Sequence, residues 1–200
     1  MRLRIGLLLF CVFFILGAAH YPGGSNANAQ AIGYDWSTNY WSELLGENAK
    51  NGKFNTARPY GFAGMIIFAS TMSLFWYKIP NGLQLPLIQK KILQLTGVSS
   101  MVSSVFIFGQ AHDVLITFAV TFGSIAFFLT LIGLWRNKNW QLFGFCLVCL
   151  MLILLNTAIY LSDWMISILP ILQKITFSIG IIWTGITAWG CSVSEKQGKV

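Results

Sequence analysis

His112 and Asp113 stand side by side, and a histidine with a carboxylate is the smallest constellation able to move a proton near neutral pH. Imidazole titrates there, and a nearby acid fixes its tautomer and raises its basicity. Adjacent side chains seldom bond well to each other, so the group that orients His112 is expected elsewhere, with Asp163 the candidate. Asn156, Tyr160 and Asp163 recur at i, i+4 and i+7 and therefore share a helix face. Lys174 places a cation in an apolar segment, and Asn39 and Arg58 belong to the polar stretch before the second apolar run. Read as chemistry, His112, Asp113 and Asp163 form an acid–base group. Arg58 and Lys174 would neutralise an anionic head, and Asn39, Asn156 and Tyr160 would donate hydrogen bonds. Each also has a structural reading: Asp113 as a helix N-cap, the Asn156 stripe as interhelical bonding, Lys174 as a snorkelling cation or the partner of Asp113 or Asp163.

The elements that must position these residues are membrane helices. The chain has 200 residues, 56% hydrophobic and 10% charged, with a mean hydropathy of +0.67, far from the composition of a soluble domain. Six segments have the roughly 17 to 25 residues needed to cross about 30 Å of hydrocarbon. They are Leu3 to Ala19, Pro59 to Ile79, Ile92 to Gly109, Val114 to Trp135, Trp140 to Leu161 and Ile168 to Trp189. The predicted fold is all-α: one polytopic integral membrane domain over residues 1–200, a six-helix bundle with a single long external loop at residues 20–58. Arg2, Arg4, a short apolar run, Gly17 and Ala19 also fit a signal peptide, but six spans return the C-terminus to the side its lysines prefer, so the first segment is read as a helix.

Orientation follows from charge. With the termini cytoplasmic, nine of the thirteen Lys and Arg lie on that side, while five of the six acidic residues and both histidines lie on the other. The net charge of +7 then describes a basic face beside anionic lipid headgroups, and no basic stripe interleaved with aromatics calls for nucleic acid. Membrane lipids are the expected partners.

Within the loop, residues 21–30 are polar and turn-forming, and Asn51-Gly52 marks a turn. Between them Trp36, Tyr40, Trp41, Leu44 and Leu45 recur at helical spacing. An amphipathic helix over Asp35 to Leu45 is predicted, lying in the headgroup region or acting as a lid. Arg58-Pro59 opens the second helix, whose small residues Gly61, Ala63, Gly64, Ala69 and Ser70 permit close approach. In the third, Thr96, Ser100 and Ser103 or Ser104 share a face, as helix-to-helix glue or a polar track. Pro170 predicts a bend in the sixth.

Several chemistries fail on spacing. There is no H-E-x-x-H, no G-x-S-x-G and no phosphate-binding Gly-rich loop, and Lys50 to Arg58-Pro59 departs from the lipid-phosphatase opening by one residue, with no Ser-Gly-His following. Cys11, Cys146, Cys149 and Cys191 lie in helices or at a cytoplasmic end, so no disulfide framework is predicted and the Cys146–Cys149 pair reads as packing. His20, His112, Asp113 and Asp163 carry zinc-ligand chemistry but come from separated positions, so no metal or cofactor is predicted.

The run Tyr21-Pro-Gly-Gly, then Gly33-Tyr-Asp-Trp-Ser-Thr-Asn-Tyr40, Glu43-Leu-Leu, Asn51-Gly52 and Asn55-Thr-Ala-Arg58, resembles a family of bacterial membrane proteins. The Phe75-Trp-Tyr77 helix end and the His112-Asp113 pair also fit. The family is catalogued as domain of unknown function nine-nine-eight, and the resemblance covers about half of the chain. It implies a six-helix bundle in a bacterial cytoplasmic membrane and no particular activity. Three functional readings stay open: an external site that binds or modifies a lipid-like substrate, a small-solute transporter, and a non-enzymatic scaffold or accessory subunit.

Overall fold

A computed structural model describes residues 2–106, 112–162 and 164–197, with the side chains of His112 and of residues 189–197 outside the description. Six helices follow in order: α1 (Arg2–Ala19), α2 (Arg58–Lys78), α3 (Leu87–Val105), α4 (His112–Arg136), α5 (Trp140–Ser162) and α6 (Leu169–Gln197). Short 3-10 turns stand at Trp41–Leu45, Ile79–Gly82 and Ile166–Ile168. Five segments, all but α3, are long and apolar enough to cross a membrane. In α3, Gln89, Lys90, Lys91, Gln94 and the serines dilute the apolar residues. The protein is a multi-pass membrane bundle.

Each helix packs on the next in sequence, and α6 returns to α1 to close the ring. In hydrocarbon a backbone must satisfy its own amides, so a run of helices with short connections folds as antiparallel neighbours. Large apolar side chains such as Leu8, Ile66, Phe128 and Leu161 face outward, where lipid rather than water is their solvent. Inside, Phe75, Trp76, Phe127 and Trp183 form an aromatic knot with ring centres 5.1–5.4 Å apart along its edges. Gly97 lets α3 lie directly under the Trp76 ring, where a Cβ would collide with the indole. Cys146 and Cys149 are buried among apolar residues, in keeping with packing.

The helix limits differ from expectation at two places. α3 begins at Leu87 directly after Pro86 and ends at Val105, so Lys90 and Lys91 lie within it instead of before it. Pro170 produces no bend, because α6 starts at Leu169 and a first-turn proline withholds an amide that no helical carbonyl needs.

Residues 20–57 form a folded cap. Gly24 donates to Ala31 and Asn51 donates to Gly23, tying the polar stretch to the Asn51-Gly52 turn, which closes with Ala49 donating to Lys53. Gly24 has φ +81°, and a side chain there would strike the Lys50–Asn51 backbone, so this junction requires glycine. The helix predicted over Asp35 to Leu45 shrinks to the single 3-10 turn Trp41–Leu45. Local bonds explain this. The Asp35 carboxylate takes the amide and hydroxyl of Ser37, and the Asn39 side chain takes the amide of Asp35. These contacts compete with helical bonding and leave Tyr40 extended.

That turn packs into the bundle. Leu44 and Leu45 are buried, and Trp41 enters the bundle between Phe10, Phe14 and Phe177, with ring centres 4.8–5.5 Å away. Gly61 of α2 allows it, since a Cβ there would press on the Leu44 carbonyl. Gly64 likewise receives Phe14 of α1, so two of the small residues of α2 serve close approach, whereas Ser70 is exposed.

Candidate functional site

Asn39 is the centre of the cap, fully buried. Its side-chain oxygen accepts from the Asp35 amide at 2.8 Å, and its two amide protons go to the Gly24 carbonyl at 2.6 Å and to Glu43 Oε2 at 2.5 Å. Its own carbonyl accepts from Tyr34 Oη at 3.2 Å and from Lys174 Nζ at 2.5 Å. Both of its N–H donors are spent and the side chain is fully buried, so it has no donor left with which to grip a substrate. Asn39 therefore organises the site from within, a different place from the binding surface expected of it.

Glu43 is the group that these bonds present. Its side chain is only 7% exposed, Oε2 is held by Asn39, and Oε1 has no hydrogen-bond partner among the described residues, with Lys50 Nζ 3.9 Å away. Burial pushes the Glu43 carboxyl above its usual range, against the opposing pull of the Asn39 bond, Lys50 and, more weakly, the Tyr40 amide and Lys174. Tyr34 is pushed upward as well, by burial first and the Glu43 charge second. A buried carboxylate oxygen that accepts no hydrogen bond from the described residues is uncommon enough to call for an explanation.

The cap is fixed to α6 by two consecutive residues. Gln173 Oε1 accepts from the Trp41 amide at 3.1 Å, and Lys174, one residue on, donates to Asn39 and to the Pro170 carbonyl. The Lys174 ammonium also lies 5.5 Å from the centre of the Tyr34 ring. Lys174 was expected to snorkel or to pair with Asp113 or Asp163, and it is committed to the cap instead.

The remaining expected residues are distributed around the bundle. Tyr160 Oη donates to Asp113 Oδ1 at 2.6 Å, joining α5 to the first turn of α4. Asn156, one turn deeper, donates to Thr176 Oγ1 of α6 at 2.6 Å. Asn156 and Tyr160 thus share a helix face but serve different neighbours. Arg58 opens α2 with its guanidinium 5.4 Å from the centre of the Phe62 ring. Asp163 and the side chain of His112 lie outside the described residues. His20 is bonded to the Leu16 carbonyl and stacked on Tyr60, and among the described residues no three His, Cys, Asp or Glu side chains converge as metal ligands do.

In α3, Ser100 alone of the expected hydroxyls bonds across to the next helix, donating to the Ala119 carbonyl at 2.7 Å, while Thr96, Ser103 and Ser104 bond back to their own helix. The Ser100 bond is helix-to-helix adhesion.

Sequence reasoning passed over Glu43 and Gln173. Glu43 stands in the sequence as one more acidic residue of the external loop, and Gln173 carries no signal beyond its place beside Lys174 in an apolar segment. No family model matches the chain, and comparisons with curated proteins and with solved structures return no match.

Proposed function

We propose that this protein binds the polar head of a lipid-like molecule at the capped end of the bundle, against Glu43. The observation that carries the reading is the buried Glu43 Oε1, which has no hydrogen-bond partner among the described residues although its sister oxygen is held by Asn39. Such an oxygen suits a hydroxyl or ammonium donor on a ligand, and Lys50 at 3.9 Å would meet an anionic group beside it. In this reading the cap faces outward from a bacterial cytoplasmic membrane, with both termini cytoplasmic, as the distribution of Lys and Arg favours. Membership of the family catalogued as domain of unknown function nine-nine-eight belongs to the same proposal. A step that modified the ligand would draw on His112, with Asp113 steadied by Tyr160.

The test is native mass spectrometry of the full chain released gently from detergent. A discrete adduct of lipid-like mass, lost in Glu43→Gln while the variant keeps its fold, supports the site. An adduct that survives the substitution refutes it.

A scaffold is the second reading, favoured by the bonds Tyr160–Asp113, Asn156–Thr176 and Trp41–Gln173, which spend polar groups inside the molecule. On that reading Glu43→Gln changes stability alone.

A further inference from the structure

The depth of Glu43 follows from the residue beside it. A Cβ added to Gly17, in the last turn of α1, or to Gly61, in the first turn of α2, would touch Leu44. The Glu43 carbonyl in turn accepts from Asn55 Nδ2 at 2.9 Å, three residues before α2 begins. Glu43 therefore stands level with the ends of two spanning helices, where the polar heads of lipids lie.

Lys50 approaches that carboxylate from the exposed side. Its ammonium is 3.9 Å from Oε1, and its side chain is 42% exposed where that of Glu43 is 7%. The backbone that carries it is pinned. The Lys50 amide donates to Tyr21 Oη, and Asn51 donates through its amide to Gly23 and through its side chain to Pro22. The part free to swing is the four-carbon side chain, while the turn stays in place. Tyr21, Tyr34 and Tyr40 all lie within the field of the Glu43 charge, and the Tyr34 ring already has the Lys174 ammonium 5.5 Å from its centre. A carboxylate among phenol rings attracts ammonium groups by charge and by cation–π interaction.

Charge then selects among donors. A ligand phosphate that drew Lys50 away would take a cation from a buried carboxylate, and Lys174 is committed to the carbonyls of Asn39 and Pro170. Leaving a buried charge without its partner is costly. A ligand hydroxyl lets that cost stand, whereas a ligand ammonium replaces like with like. An N–H donor also supplies the hydrogen bond that Oε1 does not receive from the described residues, which a trimethylated head cannot do. Resting on the reading of Glu43 as the ligand's contact, we infer that the bound head is a primary ammonium joined to a phosphate, as in phosphatidylethanolamine. The ammonium displaces Lys50 from Glu43, and Lys50 turns outward to the phosphate. Lys50 is thus an internal competitor that becomes a ligand contact.

The experiment uses the full chain in detergent with added phosphatidylethanolamine, phosphatidylcholine or phosphatidylglycerol, and native mass spectra recorded at rising collision energy. The wild type is expected to retain phosphatidylethanolamine about tenfold better than either other lipid, the effect of one charge-assisted contact. Lys50→Met removes the competitor and the phosphate contact together. Dodecylamine, an ammonium without a phosphate, should therefore bind this variant several-fold more tightly than the wild type, while phosphatidylethanolamine should not gain. Retention of phosphatidylcholine or phosphatidylglycerol as strong as that of phosphatidylethanolamine, and lost in a folded Glu43→Gln variant, would overturn the ammonium assignment and keep the site. Dodecylamine binding that ignores Lys50→Met would overturn the exchange. A phosphatidylethanolamine adduct that survives Glu43→Gln, or none in the wild type, would overturn both the assignment and the site.

Discussion

Lys174 of α6 donates to the main-chain carbonyl of Asn39 at 2.5 Å, joining residues 135 positions apart. One bond therefore fixes the sixth helix to the centre of the cap, and the same Asn39 hands the restraint on to Glu43 through its side chain. Stability and site geometry are consequently coupled at this contact.

Lys174→Met should loosen the cap while leaving the bundle assembled. A hydrogen bond to a charged group contributes about 1.5 to 3 kcal/mol when buried, and about half of that is expected for this half-buried ammonium. Limited proteolysis should cut within residues 20–57 faster than in the wild type. Unchanged cleavage would mean that Trp41 and Gln173 hold the cap unaided.

Trp41→Ala removes the ring seated between Phe10, Phe14 and Phe177. Full truncation of a buried aromatic costs about 3 to 5 kcal/mol, and a partly buried one should cost about 2. Thermal unfolding in detergent measures this. A loss below the scatter of the method would show that the wedge merely rests on the bundle.

Glu43 makes a signed prediction about pH. Its carboxyl is raised in the folded protein above its ordinary value of 4.5, so the folded state holds the proton more tightly than the unfolded chain. The burial penalty is absent below the unfolded value and grows as pH rises from there through the folded value, above which it is complete. Relative to Glu43→Gln, the wild type should therefore lose stability as pH is raised through that window. Melting curves of both proteins across the window decide it, and parallel curves would show that Glu43 titrates as an ordinary surface acid.

The Asp113–Tyr160 bond separates adhesion from chemistry. Single interhelical hydrogen bonds in membrane proteins average about 0.6 kcal/mol in double-mutant cycles. A cycle of Tyr160→Phe with Asp113→Asn should give a coupling of about that size. A much larger coupling would mark a polar network held away from solvent.

Much of the fold was legible because hydropathy is a local sum. Apolar runs of spanning length must become helices, since hydrocarbon offers backbone amides no other partner. Arg58-Pro59 and Trp140 accordingly start α2 and α5 at or within one residue of the places the sequence marks. The Asn51-Gly52 turn was equally visible, Gly52 adopting φ +81°. α3 was less so, because Lys90 and Lys91 look like a flank by charge and only the start at Leu87, after Pro86, places them inside a helix.

What the sequence by itself determined was the membrane class, the number of helices and which residues are polar in an apolar setting. What only the tertiary structure decided was their partners. Asn156, Tyr160 and Lys174 are recognisable as costly polar groups in apolar segments, and Asn39 as a hydrogen-bonding residue of the polar loop; that much is local. The bond that offsets the cost is not: Asn39 spends its side chain within the cap, Tyr160 reaches α4, Asn156 reaches α6, and Lys174 turns to the cap. Helical spacing says which residues share a face. The packing of six helices and one folded cap says what that face meets, and Glu43 became a candidate only when the cap closed over it.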